Sequence, residues 1–147
     1  MNDVVIRKAT LADIDMLKEL ADTHKYELGF VRRPALIRSI ERREVFVAEN
    51  SAGVVGFVEY HHRQDAQTTL YHIVVCSEHR RLGIGRRLVQ ALVSDAYECN
   101  QRVISLKCPV GLESNHFYKQ IKFLQVNVQS GKERALVVWQ LSVNPPL

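Results

Sequence analysis

The sequence predicts an α/β (α+β) domain in which one mixed β-sheet carries helices on both faces. Three strand-like segments, residues 44–49, 54–63 and 68–76, are separated by short turns, a spacing typical of an antiparallel meander. A strongly amphipathic helix over residues 84–98 comes next. The strand at 102–107 follows this crossover helix, so it should lie parallel to the strand that precedes the helix.

The remaining elements are shorter. Thr10 precedes a helix with Asp13 three residues on, a weak capping box, and Pro34 suits the first turn of a second helix. Another short helix is predicted near residues 113–120. Strands are predicted at residues 4–6, 122–128 and 135–141, and the last two form a closing hairpin in a mainly antiparallel sheet of about seven strands.

The composition is that of one globular domain spanning residues 1–147. Apolar residues make up 46% and charged residues 24%, which excludes disordered and collagen-like chains. No apolar run reaches the roughly 18 residues of a membrane helix and no leader peptide is visible, so we expect a soluble, cytoplasmic protein without a membrane partner. Cys76, Cys99 and Cys108 lack metal-ligand spacing and are expected to be reduced thiols, and we predict no metal site.

The most informative segment is residues 73–88, where an apolar strand enters a loop that opens directly into the amphipathic helix. A helix start presents unpaired backbone N–H groups and the positive end of the helix dipole. Gly83 and Gly85 remove side chains where a ligand would approach the backbone. The segment predicts a site for a phosphate or pyrophosphate. It matches neither a P-loop nor a dinucleotide fingerprint, which would need a glycine at Leu88.

Arginines surround this segment, and the net charge is +4. Four of them fall within eight residues: Arg80, Arg81, Arg86 and Arg87. A basic RNA- or phosphate-binding module is therefore one alternative. Aromatic residues total only 7% and do not alternate with basic ones, which argues against a nucleic-acid partner. A plain strand–helix turn, with glycines serving only close packing, is a second alternative.

Two motifs resemble the N-acetyltransferase (GNAT) superfamily. Residues 80–85, Arg-Arg-Leu-Gly-Ile-Gly, are similar to its Arg/Gln-x-x-Gly-x-Gly/Ala motif, which binds the pyrophosphate of acetyl-CoA. About thirty residues downstream, Phe117, Tyr118 and Phe123 match the family's Phe-Tyr-x-x-x-Gly-Phe segment, in which Lys122 replaces the glycine. The predicted order of elements also agrees over almost the whole chain.

Two further positions depart from the family pattern. Ser77 stands where a proline is common, and Gly111 stands where many relatives carry an asparagine seven residues before the tyrosine. Asn115 is a candidate substitute for that asparagine.

The resemblance implies a GNAT-like sheet whose two central parallel strands splay apart to admit the pantetheine arm of acetyl-CoA. It also implies direct transfer of an acetyl group to a primary amine, with Tyr118 protonating the departing thiolate, and final strands that pair between two subunits. The residues expected to bind acetyl-CoA are Ile73, Val74, Val75, Arg80, Arg81, Leu82, Gly83, Ile84, Gly85, Arg86 and Asn115.

The residue that accepts the amine proton is harder to assign. Deprotonating a lysine-like amine at pH 7 costs about 4–5 kcal/mol, so a base matters for such an acceptor. Glu59 is the best candidate, since strict alternation would place it on a largely apolar face with Val55, Phe57 and His61. An exposed edge glutamate is an equally good interpretation, and the rival bases are His72 and Tyr71.

The function predicted from these observations is an acetyl-CoA-dependent N-acetyltransferase acting on a small molecule or a peptide or protein. The alternatives are a non-catalytic acetyl-CoA-binding family member and the RNA- or phosphate-binding module. Cys108 invites a two-step scheme through an acetylated thiol, but direct transfer needs no nucleophile. The basic segment 32–43 favours, weakly, an acceptor with an acidic group.

Overall fold

The computed structural model describes residues 3–143, which form one seven-stranded mixed sheet with helices on both faces. The strands are β1 (Val5–Lys8), β2 (Val45–Asn50), β3 (Gly53–His62), β4 (Gln67–Val75), β5 (Val103–Pro109), β6 (Leu124–Gln129) and β7 (Leu136–Ser142). The helices are α1 (Ile14–Thr23), α2 (Lys25–Leu28), α3 (Arg33–Glu41), α4 (Ile84–Glu98) and α5 (Ser114–Gln120).

The strand order is β1-β2-β3-β4-β5-β7-β6, and only β4 and β5 are parallel. This confirms the predicted fold class, including the meander, the closing hairpin and the parallel pair on either side of α4. The predicted bounds of α4 are confirmed to the residue. The four-residue helix α2 was not predicted; it ends at Gly29, whose φ of 77° stops the helix.

The core lies in two layers, one on each face of the sheet. On one face, Leu88 and Leu92 of α4 pack with Val58 and Ile104 of the sheet. On the other face, Leu17 of α1 and Leu36 of α3 pack with the buried sheet residues Val47, Phe57 and Val74. Within residues 3–143 no helix combines the length and apolar composition needed to cross a bilayer.

The alternation predicted for β3 was wrong at one position. Val55 packs in the layer beneath α4, whereas Phe57 packs in the layer beneath α1 and α3. The register between β2 and β3 shifts between Ala48 and Glu49, and Val55 has no partner in the ladder there. An extra residue in one strand reverses the faces of the residues beyond it, which pure alternation cannot anticipate.

The parallel strands β4 and β5 pair only at their beginnings. The ladder joins Gln67, Thr68 and Thr69 to Val103, Ile104 and Ser105, and it stops there. Beyond that point β4 continues along β3 as far as Val75, while β5 continues along β7 as far as Pro109. The two strands therefore part, and within residues 3–143 no strand pairs with the facing edge of β4 beyond Thr69, which confirms the predicted splay.

Candidate functional site

The start of α4 presents three backbone N–H groups without a helical partner. The first intrahelical bond runs from the Arg87 N–H to the Gly83 carbonyl, and among the described residues none accepts a hydrogen bond from the amides of Ile84, Gly85 and Arg86. Gly83 precedes the helix with φ of 79°, a left-handed conformation that favours glycine. A Cβ atom on Gly85 would lie 3.0 Å from the Phe117 ring, so this glycine keeps the loop close to α5.

Arginine side chains add positive charge around these amides. Arg81 and Arg86 line the cavity at the helix start. Arg80 is anchored: its Nε donates to the Val75 carbonyl at 3.0 Å, and its Nη2 lies 3.1 Å from a carboxylate oxygen of Glu27 on α2. The loop between β4 and α4 is thereby fixed to the end of the splayed strand.

A cavity of about 810 Å³ connects the helix start with the gap between the strands. Every residue predicted to bind acetyl-CoA lines this cavity except Leu82 and Asn115. Leu82 is exposed to solvent beside the loop. Another part of the cavity wall is the turn after β5, at Gly111, Leu112, Glu113 and Ser114.

The side-chain amide of Asn115 is hydrogen-bonded to neighbouring parts of the protein. Its amide nitrogen donates to the carbonyls of Pro109 and Leu112, both at 3.0 Å, and its amide oxygen accepts a hydrogen bond from Trp139 Nε1 at 2.9 Å. These bonds tie the turn after β5 to α5 and β7 and use the polar atoms of the side chain. Sequence reasoning could not distinguish this role from cofactor contact.

Lys122 occupies the position where the family motif has a glycine. Its φ is 78°, so the backbone keeps the left-handed turn that glycine usually serves. The replacement therefore preserves the chain path from α5 into β6, at the strain cost that a non-glycine residue incurs there. Phe123 still packs against Tyr118, with ring centroids 5.7 Å apart.

Tyr118 of α5 borders the gap between β4 and β5. It is 6% exposed and packs among Phe117, Phe123 and Trp139. Burial raises the pKa of Tyr118, so the phenol is protonated at neutral pH. Within residues 3–143 its hydroxyl makes no hydrogen bond, and the side chain lines the cavity described above.

A second cavity of about 250 Å³ adjoins the first. The two share Ile73 and Tyr118, so they meet in the gap between β4 and β5. Among the lining residues that sequence reasoning did not assign to the site are Tyr26 and Glu27 of α2, Lys107 of β5, and Arg134 before β7. Nothing in their local sequence marks them, because folding alone brings them together.

Cys108 also lines the second cavity. Burial raises the pKa of Cys108 to about 11, opposed by the charge of Arg134. A thiol with that pKa is almost entirely protonated at pH 7 and is a poor nucleophile. The environment of Cys108 therefore favours direct transfer over an acetylated thiol.

Glu59 lies at the buried side of the second cavity but lines neither cavity. It is 4% exposed, which excludes the interpretation as an exposed edge glutamate. One carboxylate oxygen lies 2.7 Å from His72 Nδ1, and the other accepts a hydrogen bond from the Ser39 hydroxyl at 2.6 Å. His72, in contrast, lines the second cavity.

The comparisons with known proteins agree with this geometry. The family model described as an acetyltransferase (GNAT) domain matches residues 41–124, and no curated protein matches the chain. The fold is similar to Ard1 from Thermoplasma volcanium, with a TM-score of 0.86 and 20% identity over 97% of this chain and 99% of that one.

Two other solved structures are similar over nearly their full lengths. One is yncA from Salmonella typhimurium with its cofactor acetyl-CoA, at a TM-score of 0.80 and 20% identity, covering 99% of this chain and 96% of that one. The other is the ribosomal-protein-alanine N-acetyltransferase from Brucella melitensis, at 0.78 and 25%, covering 94% and 99%. Since the family model spans more than half of the sequence, including the loop at the start of α4, the chain belongs to the GNAT acetyltransferase family.

Proposed function

We propose that the protein is an acetyl-CoA-dependent N-acetyltransferase that passes the acetyl group directly to a primary amine of a small molecule, peptide or protein. The observation that carries this proposal is the continuous cavity from the free amides of α4 to the gap between β4 and β5. A diphosphate fits the amides and arginines of the loop. An extended pantetheine arm fits the unpaired edge of β4 at Ile73, Val74 and Val75.

The similar structures support the same chemistry. The Salmonella protein was solved with acetyl-CoA, and the Brucella protein is named as an acetyltransferase of a ribosomal protein. Lys107 and Arg134 line the second cavity, whereas no arginine of the segment 32–43 does. Glu27 also lines this cavity, but its carboxylate is paired with Arg80, so the two cations favour an amine acceptor that also carries an acidic group.

The proposed reaction has one acyl-transfer step. The amine nitrogen attacks the thioester carbon, a C–N bond forms and the C–S bond breaks. The Tyr118 hydroxyl gives its proton to the departing thiolate, and a backbone N–H of residues 73–75 stabilises the oxyanion. Glu59 remains part of the proposed group that removes the proton of the amine, although its carboxylate lines neither cavity.

The expected homodimer is also part of the proposal. β6 is an edge strand, and Leu124, Val126 and Val128 expose apolar side chains along it. Pairing of this edge with a second copy would cover those side chains. The molar mass measured in solution decides this point, and a monomer at all concentrations would contradict it.

The acyl-transfer proposal is tested with acetyl-CoA, a panel of primary amines and the variant Tyr118→Phe. We expect saturable acetyl-CoA binding by calorimetry and release of CoA thiol when an amine is present. Tyr118→Phe should lower kcat by about 100-fold with little change in acetyl-CoA affinity, since it removes only the proton donor.

Tyr97→Phe is the matched control, because Tyr97 is exposed on α4 and lines neither cavity. Absence of acetyl-CoA binding at millimolar concentration would overturn the proposal. Binding without turnover on any amine would instead identify a non-catalytic family member.

A further inference from the structure

A buried carboxylate and a histidine face each other across two strands beside the second cavity. Glu59 of β3 and His72 of β4 are direct partners in the antiparallel ladder. Ser39 of α3 donates to one oxygen of Glu59 at 2.6 Å, and His72 Nδ1 lies 2.7 Å from the other. Both carboxylate oxygens are therefore engaged, in a position where the carboxylate is 4% exposed.

The carboxylate fixes the tautomer of the histidine. An ionised carboxylate only accepts hydrogen bonds, so Nδ1 must carry the proton that is shared with Glu59. A neutral imidazole with its proton on Nδ1 has a free lone pair on Nε2. Within residues 3–143 no hydrogen bond reaches Nε2, and the ring lines the second cavity.

A bulge in β4 produces this juxtaposition. The register shifts between Glu59 and Tyr60: Glu59 pairs with His72, but Tyr60 pairs with Leu70, so Tyr71 is the extra residue. Bulges re-aim side chains and are common beside active sites. Here the bulge sets His72 opposite Glu59, on the face covered by α1 and α3, at the point where β4 leaves β5.

We infer that His72 is the general base of the reaction and that Glu59 is its positioning residue, an inference that rests on the proposed acetyl transfer. As the amine nitrogen forms its bond to the thioester carbon, its proton passes to His72 Nε2. The ring is then an imidazolium, stabilised by Glu59 through Nδ1–H. Ser39 holds the second oxygen of Glu59 and so fixes the plane of the carboxylate.

Other titratable groups share this environment, and a pH profile has to separate them from His72. The groups that face the second cavity or the ring are Tyr26 and Glu27 of α2, Glu59 of β3, Tyr71 of β4, Lys107 and Cys108 of β5, Tyr118 of α5, and Arg134. Only a limb of the profile that disappears on replacing His72 is assigned to that residue.

The test compares His72→Gln, Glu59→Gln and Ser39→Ala, using acetyl-CoA and the best amine of the panel. We expect His72→Gln to lower kcat/KM by about 100-fold and to abolish the acid limb of its pH profile, with the KM for acetyl-CoA unchanged. Glu59→Gln should lower kcat by about 10- to 100-fold while keeping an acid limb, since the base remains but its tautomer is no longer fixed. Ser39→Ala should act in the same direction, by a few-fold.

His61→Gln is the matched control. His61 also pairs with a glutamate, its Nδ1 lying 2.8 Å from Glu44, but it lines neither cavity, so the variant should keep the wild-type profile. If Glu59→Gln fails to fold, the His72 and Ser39 variants decide the question.

A wild-type rate and acid limb in His72→Gln would overturn the inference while leaving the proposed function intact. A wild-type protein without turnover on any amine would remove the proposed function itself. The two failures are therefore distinguishable.

Discussion

The strand β4 begins beside β5, at a closed end of the sheet, and finishes where the two strands have parted, at an open end. Each end has a histidine paired with a carboxylate: His62 of β3, opposite the start of β4, and His72 of β4 itself. At the closed end, where β4 pairs with β5, His62 Nε2 lies 2.9 Å from Asp95. At the open end, His72 Nδ1 lies 2.7 Å from Glu59. The pairs are chemically alike, yet their surroundings differ in one respect that decides their roles.

At the closed end both ring nitrogens of His62 and the carboxylate of Asp95 have partners within the protein. The second nitrogen of His62 lies 2.8 Å from the Thr68 hydroxyl. Asp95 also accepts a hydrogen bond from Tyr60 at 2.7 Å and lies 3.2 Å from Lys8. Hydrogen bonds that satisfy one another in this way stabilise the fold.

At the open end the second nitrogen of the histidine faces a cavity instead. The difference arises because β4 and β5 part after Thr69, which removes the covering strand. A histidine–carboxylate pair thus becomes available for chemistry where the sheet opens, and it stays structural where the sheet is closed. This distinction predicts that the closed end controls stability and the open end controls activity.

The largest effect is expected from Asp95→Ala. The change leaves Lys8, Tyr60 and His62 without their shared acceptor in a partly buried site, so the free energy of unfolding should fall by about 3 kcal/mol. Urea unfolding measures the loss. Asp22→Ala, which removes an ion pair with Lys18 on α1, is the control and should cost less than about 1 kcal/mol. Equal losses in the two variants would contradict the assignment of the closed end.

A smaller effect should appear on acidification. Burial tends to raise the pKa of Asp95, but hydrogen bonds from His62 and Tyr60 and the charge of Lys8 outweigh it and lower the pKa to about 2. A depressed pKa in the folded state gives stability that is present above about pH 4 and lost as the pH falls toward 2, worth about 2 kcal/mol.

Unfolding of the wild type and Asp95→Asn between pH 5 and 2 measures this contribution. The difference in stability between the two proteins should shrink across that window. A constant difference would show that the Asp95 carboxylate is not the titrating group.

The smallest effect concerns salt at the open end. Arg81 and Arg86 line a cavity that is open to solvent, so acetyl-CoA binding should weaken several-fold from low to high ionic strength. The ion pairs of the closed end are more buried and should be screened less. Calorimetry in two salt concentrations tests the first statement, and affinity that is independent of salt would contradict a diphosphate site supported by arginines.

Much of this fold could be predicted because its signals are local. The amphipathic period of α4, the glycines before it and the turns of the meander each lie within a few residues of the element they specify. The same holds for the glycine-containing loop before α4 and for Tyr118, since the motifs that resemble the family are short and contiguous. Strict alternation failed where the ladders are irregular, at Val55 of β3 and at the bulge of β4 at Tyr71.

The order of the elements, the glycine-containing helix start of α4 and the position of Tyr118 followed from the sequence alone, because backbone geometry and short motifs specify them locally. Only the tertiary structure decided which side chains meet in the gap. Ser39, Glu59 and His72 come from three elements, and their contact depends on the packing of α3 and on the bulge at Tyr71. Such contacts depend on register and packing across the sheet, which no single stretch of sequence records.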